Sequence, residues 1–343
     1  MYSGKSVLPL SLVLYFVDGE FAATHPDIAN EILNEDQISL IRILNLSRRN
    51  KIAFSFCKGF LEQTSKPILE ISRTFEKEKI RIENLKRTLE IICPLLMDHG
   101  IDFRVIKTFK VIPYGTDDID LLLRKEDFFY AISVLKGSGL LDTSSGFFKA
   151  LISLKLAHPH YKRDDLLVID IYQGIPWGVE DPIVVDASFL WRNPRLVDVC
   201  GVKCKIPSRE ADFLSLIADS FFGDGNITLL DFLYTRKLIN SGLQFNEILR
   251  HVDEYGWKYP LLEIISLLRN LEEKIYNKDR LPSDIDFPYM IPLHIFIKAV
   301  YGRFFYASDR KPFSSLLFLE NAVYNRFLSR VYPFIGKLRS ARK

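Results

Sequence analysis

Thr116-Asp117-Asp118-Ile119-Asp120-Leu121-Leu122-Leu123 decides how this chain is read. Alternate side chains of an extended strand share a face, so Asp118 and Asp120 project together while Ile119, Leu121 and Leu123 enter a core. Asp117 falls on the other face and reads as a turn residue. Two carboxylates at the mouth of an apolar strand suit a divalent cation. Mg²⁺ prefers hard oxygen ligands, takes one or two protein carboxylates, and leaves its other positions to water and phosphate oxygens. The stretch therefore points to phosphate chemistry, against the plainer reading of an acidic strand entrance that holds no ligand.

Working outward, Leu166-Leu167-Val168-Ile169-Asp170-Ile171 is a second apolar run with one carboxylate near its end. If the two strands are neighbours, Asp118, Asp120 and Asp170 could hold two metals about 3.5–4 Å apart, an arrangement that activates a hydroxyl and stabilises a leaving oxygen in phosphoryl displacement. Three further β-rich runs, Phe103 to Ile106, Val197 to Cys200 and Val202 to Ile206, are expected to join these two in one sheet. A helix from Lys125 to Leu135, ending near Gly137, gives the segment from 101 to 206 its mixed character. His158 and His160 precede the Asp170 strand in a Pro159-containing stretch that reads as a surface loop, and Trp177 reads as a buried aromatic capping the sheet.

Helical periodicity flanks this core on both sides. Residues 1–100 read as mainly helical after an irregular start, with helices over Glu35 to Leu46, Ile52 to Glu62 and Ile71 to Asp98. In the last of these Leu85, Leu89, Ile92 and Leu96 form a buried stripe, and Glu76 to Lys79 face water. Residues 207–343 read as a C-terminal helical domain: Ser208 to Phe222, Thr228 to Asn240 with a Thr228–Asp231 capping pattern, Phe245 to Tyr255, Tyr259 to Tyr276, Pro292 to Tyr306 and Ser314 to Val331. The predicted fold class is α+β, a small mixed sheet between N-terminal helices and a C-terminal helical domain. Asp219 and Asp231 are candidates for shaping the cleft, although capping explains Asp231.

At 343 residues the chain has material for two or three packed units. Hydrophobic residues at 48% and charged residues at 26% exclude a disordered or fibrous protein. A net charge of +3 does not by itself mark a nucleic-acid binder. From Arg303 onward, however, nine basic residues stand against Asp309 and Glu320, which is either a docking surface for a polyanion or a solvated basic end. Four scattered cysteines supply no disulfide framework and no zinc spacing, which favours a reducing, cytoplasmic setting. Val7 to Val17 is too short to span a bilayer, and His294, Lys298 and Arg303 interrupt Met290 to Ala307, so no membrane partner is expected.

Ile106-Lys107-Thr108, then Asp118-Ile119-Asp120 followed by Leu121 to Leu123, then Asp170, resemble the nucleotidyltransferase superfamily typified by DNA polymerase beta. More narrowly, the chain is similar to an uncharacterised nucleotidyltransferase group in which a Lys-containing strand precedes Asp-Ile-Asp and helices flank the core. Gly174-Ile175-Pro176-Trp177 and Ser208-Arg209-Glu210-Ala211-Asp212 share that similarity, which covers roughly residues 83–239. The resemblance implies that Asp118 and Asp120 coordinate Mg²⁺ or Mn²⁺, that Asp170 is a metal ligand or general base, and that Thr108 contacts the triphosphate of an NTP such as ATP. Lys107 and Lys110 would supply positive charge to the phosphates. A nucleoside monophosphate would pass to an acceptor, protein, RNA or small molecule, with release of pyrophosphate.

Two departures from the pattern stand out. Where the superfamily usually has glycine, this chain has Lys107 or its neighbour, so the close backbone approach of glycine is not guaranteed. The connection 109–115 contains Pro113 and reads as a loop where many relatives have a helix. The alternative is a catalytically inactive descendant that binds a nucleotide, a nucleic acid or a protein. A nuclease or phosphohydrolase is less well supported, because there is neither a histidine-rich metal motif nor a Gly-x-x-x-x-Gly-Lys loop. Nothing in the sequence sets the base, the acceptor or an oligomeric state.

Overall fold

The structure is a computed structural model. It describes residues 8–276 except 29–30, 32–34, 65, 67, 111, 143–159, 164–165, 174, 177–182, 186, 220–226 and 256–257. The expected helices at Pro292 to Tyr306 and Ser314 to Val331, the basic stretch from Arg303, and His158 and Trp177 lie outside the described residues.

The two apolar runs that carry the acids are neighbouring strands. β1 (Phe103–Ile106) pairs antiparallel with β2 (Asp118–Leu123), which pairs parallel with β5 (Val168–Tyr172). β4 (His160–Lys162) runs antiparallel to β5, and β3 (Leu141–Asp142) antiparallel to β4, so the sheet is mixed with spatial order β1-β2-β5-β4-β3. The parallel β2–β5 pair needs a long crossover. It contains α6 (Phe128–Gly137), which begins three residues later than expected because residues 125–127 form a turn. The fold class is α+β.

The hairpin departs from expectation. Among the described residues β8 (Arg195–Val199) and β9 (Val202–Ile206) pair with each other as a separate two-stranded sheet. Cys200 and Gly201 turn the corner with φ values of 53° and 90°. Two left-handed central residues make a turn whose twist matches that of the strands. A second small sheet joins β6 (Ile175–Pro176) to β7 (Ile183–Val185), and α7 (Ala187–Trp191) follows it.

The period-2 pattern places a different core on each face of the main sheet. Val105, Ile119, Leu121, Leu123, Ile169 and Ile171 pack on α5 (Leu69–Asp98) through Leu85, Leu89, Ile92 and Leu96. Ile106, Leu122 and Tyr172, on the face that carries the acids, join a second core built from both ends of the chain. From the first hundred residues come α1 (Leu8–Val17), α2 (Gly19–Thr24), α3 (Gln37–Arg49) and α4 (Ala53–Gln63). From residue 8 onward the chain is thus helical where an irregular stretch was expected: α1 buries Leu10, Leu12, Val13 and Leu14, as a mostly apolar helix must. Among the described residues no helix is long and apolar enough to cross a membrane.

The other half of that core is α8 (Arg209–Ala218), α9 (Leu229–Asn240), α10 (Phe245–Glu254) and α11 (Lys258–Tyr276). Ser208 caps α8, and Thr228 and Asp231 form the capping box expected for α9. Buried polar groups fasten the two halves together. Asn50, at the end of α3, accepts the Leu229 N–H on Oδ1 at 3.0 Å and the Leu230 N–H on its carbonyl at 3.3 Å. Arg236 of α9 pairs with Glu272 at 2.7 Å, Glu20 at 2.7 Å and Asp18 at 3.3 Å, and stacks on the Tyr276 ring at 3.6 Å.

Candidate active site

In the parallel β2–β5 ladder Asp120 lies directly opposite Asp170, and Asp118 opposite Val168. Residues opposite one another share a face, so the three acids fall on one side of the sheet with Asp118 one pleat before Asp120. Asp118 is exposed, Asp120 half-buried and Asp170 buried, and all three line a cavity of about 700 Å³.

Their electrostatics follow from crowding. Burial pushes the Asp120 carboxyl up to about 7; Lys107 opposes the shift, and Asp118, Asp170 and Asp219 reinforce it. Burial, then Asp170, raises Asp118, against a hydrogen bond that the Thr116 hydroxyl donates to Asp118 Oδ1 at 3.1 Å. Burial and the same carboxylates drive the Tyr172 phenol far up. Such a cluster asks for a cation.

The donor set fits a hard divalent ion. It consists of carboxylate oxygens on one rigid sheet, open to a cavity large enough for a phosphate-bearing ligand. Among the described residues no three His, Cys, Asp or Glu side chains stand close enough to enclose a metal by themselves. Mg²⁺ does not need that, because it completes its shell with water and phosphate oxygens.

The segment after β1 turns tightly at the edge of the cavity, which Lys107, Thr108 and Lys110 all line. Lys107 has φ of 55°, a left-handed conformation that glycine adopts freely and lysine only at a cost. Its backbone thus makes the turn that a glycine would make, with the Thr108 N–H donating to the Ile106 carbonyl. Lys107 Nζ lies 3.1 Å from Asp219 Oδ1 and 4.9 Å from the Tyr172 ring centroid. Lys110 Nζ lies 3.5 Å from Asp231 Oδ1 and over the Tyr234 ring at 5.2 Å. Both lysines border the cavity with carboxylate partners already in place. Thr108 is buried; its hydroxyl oxygen accepts the Asp120 N–H at 3.0 Å, and its carbonyl accepts the Tyr114 hydroxyl at 2.9 Å. It ties β1 to β2 where the acids sit.

The other wall of the cavity comes from the N-terminal helices, which no sequence motif marks as part of the site. Arg48 of α3, Lys51 in the α3–α4 corner, and Lys77 and Arg81 of α5 line it. Thr74, Lys77, Glu78 and Arg81 recur at helical spacing on one face of α5, the signal that could have revealed this wall. Glu78 is buried rather than facing water, and it accepts a hydrogen bond from Arg81 at 3.0 Å. Asp117 is 78% exposed and pairs with Arg81 at 3.0 Å. In the β4–β5 ladder His160 lies opposite Asp170. Asp219 and Asp231 line the cavity, Asp231 while also capping α9.

No protein-family model matches the chain, and no curated protein matches it. Two solved structures align with it. One, a solution structure, is the antibiotic-resistance factor ANT(2'')-Ia, at 12% identity over 55% of this chain and 97% of that one, with a TM-score of 0.34. The other is an antigenic nucleotidyltransferase-like protein from Paracoccidioides brasiliensis, at 15% identity over 64% of this chain and 94% of that one, with a TM-score of 0.37.

Proposed function

We propose that the chain is a metal-dependent nucleotidyltransferase that moves a nucleoside monophosphate from an NTP to an acceptor and releases pyrophosphate. The observation that supports it most is the register: Asp120 opposite Asp170 on adjacent parallel strands, with Asp118 one pleat away, at the floor of a cavity with basic side chains around it. Asp118, Asp120 and Asp170 would hold Mg²⁺ or Mn²⁺, which when bound neutralises phosphate charge and lowers the proton affinity of an acceptor hydroxyl. Asp170, the most buried of the three, would take the acceptor's proton. Thr108 fixes the Asp120 backbone, and the sheet holds the acids at a constant spacing, so that catalysis comes from position and electrostatics.

One observation favours the inactive alternative. Lys107 and Lys110 are held by Asp219 and Asp231, so two of the positive charges expected to meet phosphate are partly cancelled.

Label transfer separates the two. Each α-³²P NTP is incubated with Mg²⁺ or Mn²⁺, the protein and co-purified RNA, comparing wild type with the Asp118→Asn, Asp120→Asn double variant. Label on protein, RNA or a small molecule with wild type only is the expected result, and its position identifies the acceptor class. No label, with metal-dependent NTP binding retained in calorimetry, favours the inactive binder. No label and no NTP binding refutes the nucleotide reading.

A further inference from the structure

Six basic side chains line the cavity among the described residues, and they fall into two sets. Lys107, Lys110 and Arg81 each lie within ion-pair distance of a carboxylate: Asp219, Asp231, and both Glu78 and Asp117 respectively. Arg48, Lys51 and Lys77 have no carboxylate within ion-pair distance among the described residues, although Lys51 lies near enough to Asp118 to act on its carboxyl. Among the described residues Arg48 donates to neutral oxygens, those of Asn45 and Thr74. All three come from α3, the α3–α4 corner and α5, and so share the wall contributed by the N-terminal helices. An anionic ligand gains most where positive charge is not already neutralised.

The backbone at Lys51 is a second, independent observation. Lys51 has φ of 57°. The Ile52 N–H donates to the Ser47 carbonyl at 3.0 Å and the Lys51 N–H to the Arg48 carbonyl at 3.1 Å, closing α3 in the manner of a Schellman motif. The left-handed residue of that motif is most often glycine, because a side chain there is strained. Here a lysine occupies it at the edge of the cavity. Strain of this kind recurs at ligand clamps, where a side chain is worth its conformational cost.

We infer that Arg48, Lys51 and Lys77 form the seat for the triphosphate of the NTP, in place of the Lys107–Thr108–Lys110 segment that the sequence suggested. The inference rests on the nucleotidyltransferase reading of the same cavity. It places the anionic part of the nucleotide against the N-terminal helices and the reacting phosphorus toward the carboxylates on the sheet.

The test is calorimetric titration of the full chain with inorganic tripolyphosphate, with each NTP and with a single-stranded RNA oligonucleotide, with and without Mg²⁺. The variants are Lys51→Gly, Lys77→Gln and the double. Lys51→Gly is informative because it removes the ammonium and relieves the backbone strain at once, so its thermal midpoint equals or exceeds that of wild type. Lys77 is an exposed helix residue whose replacement leaves the fold intact. Each single variant is expected to weaken tripolyphosphate and NTP binding about 10–100-fold, the scale of a hydrogen bond to a charged group. Wild type that binds NTP while the double variant binds within about twofold of it overturns the seat and leaves the transferase reading standing. Wild type that binds neither NTP nor tripolyphosphate overturns both. Loss of RNA binding with tripolyphosphate binding unchanged makes the wall a nucleic-acid track and overturns the seat.

Discussion

Asp120→Asn should stabilise the metal-free protein near neutral pH while abolishing nucleotide transfer. In the fold the Asp120 carboxyl titrates at about 7, above its ordinary 3.8, chiefly because burial disfavours the charge. A raised carboxylate binds more protons folded than unfolded, so its contribution to stability falls as pH rises. The contribution is intact below about 3.8, declines between about 3.8 and 7, and is fully lost above 7. A difference of about three pH units corresponds to ~4 kcal/mol at 1.36 kcal/mol each, and partial exposure of the side chain reduces this to on the order of 2–4 kcal/mol. Asparagine has nearly the same shape and no charge. In EDTA at about pH 8, denaturant unfolding should show the variant more stable by that amount, with the gap closing as pH falls toward 4. Added Mg²⁺ should raise the wild-type midpoint far more than that of the variant. Equal stability at pH 8, or a gap that does not narrow on acidification, would refute the crowded-carboxylate account.

Other perturbations test other parts of the arrangement. Thr108→Val removes the acceptor of the Asp120 N–H and should cost about 1–3 kcal/mol in denaturant melts, with label transfer reduced; Thr108→Ser keeps the oxygen and should restore both. Gly115→Ala would drive a Cβ into Glu78 Oε2 and to within 2.9 Å of Arg81 Cβ, so it should destabilise by about 1–3 kcal/mol and weaken NTP binding at the cavity rim. Arg236→Ala removes the cation that faces Asp18, Glu20 and the buried Glu272, and should cost about 3–5 kcal/mol in the same melts.

The acid-bearing strands were legible because their side chains alternate, and alternation is a local signal: Ile119, Leu121, Ile169 and Ile171 mark one face wherever the strands end up. The register that sets Asp120 against Asp170 was not legible, since it depends on which strands become neighbours. The same lack explains the β8–β9 hairpin, whose strands were recognisable but whose separation from the main sheet was not. The run Val7 to Val17 stood out as apolar but not as a helix, because a helix apolar nearly all round has little periodicity to detect. Lys77 read as a solvated residue because a charge at helical spacing looks the same over water as over a cavity. What makes it part of the site is the distant β2 strand on the other side of that space. Lys107 had to be lysine in a glycine's conformation before its left-handed backbone could be seen, and residue identity alone pointed the other way.

The core shared by α1–α4 and α8–α11 has a consequence for how the protein comes to exist. Asp18 receives the hydroxyl of Tyr276, 258 positions later in the chain. At 5–20 residues per second, synthesis of that interval occupies roughly 13–50 s, during which the apolar faces of α1, α3 and α4 have been made but their partners have not. Contacts this distant in sequence also slow the search for the native state, because the loop must close before any of them forms. The nascent chain is therefore a natural client for chaperones. The cavity takes Asp231, the partner of Lys110, from α9, so a ribosome-bound fragment ending before α9 should have the acids and the basic wall but leave Lys110 without that carboxylate.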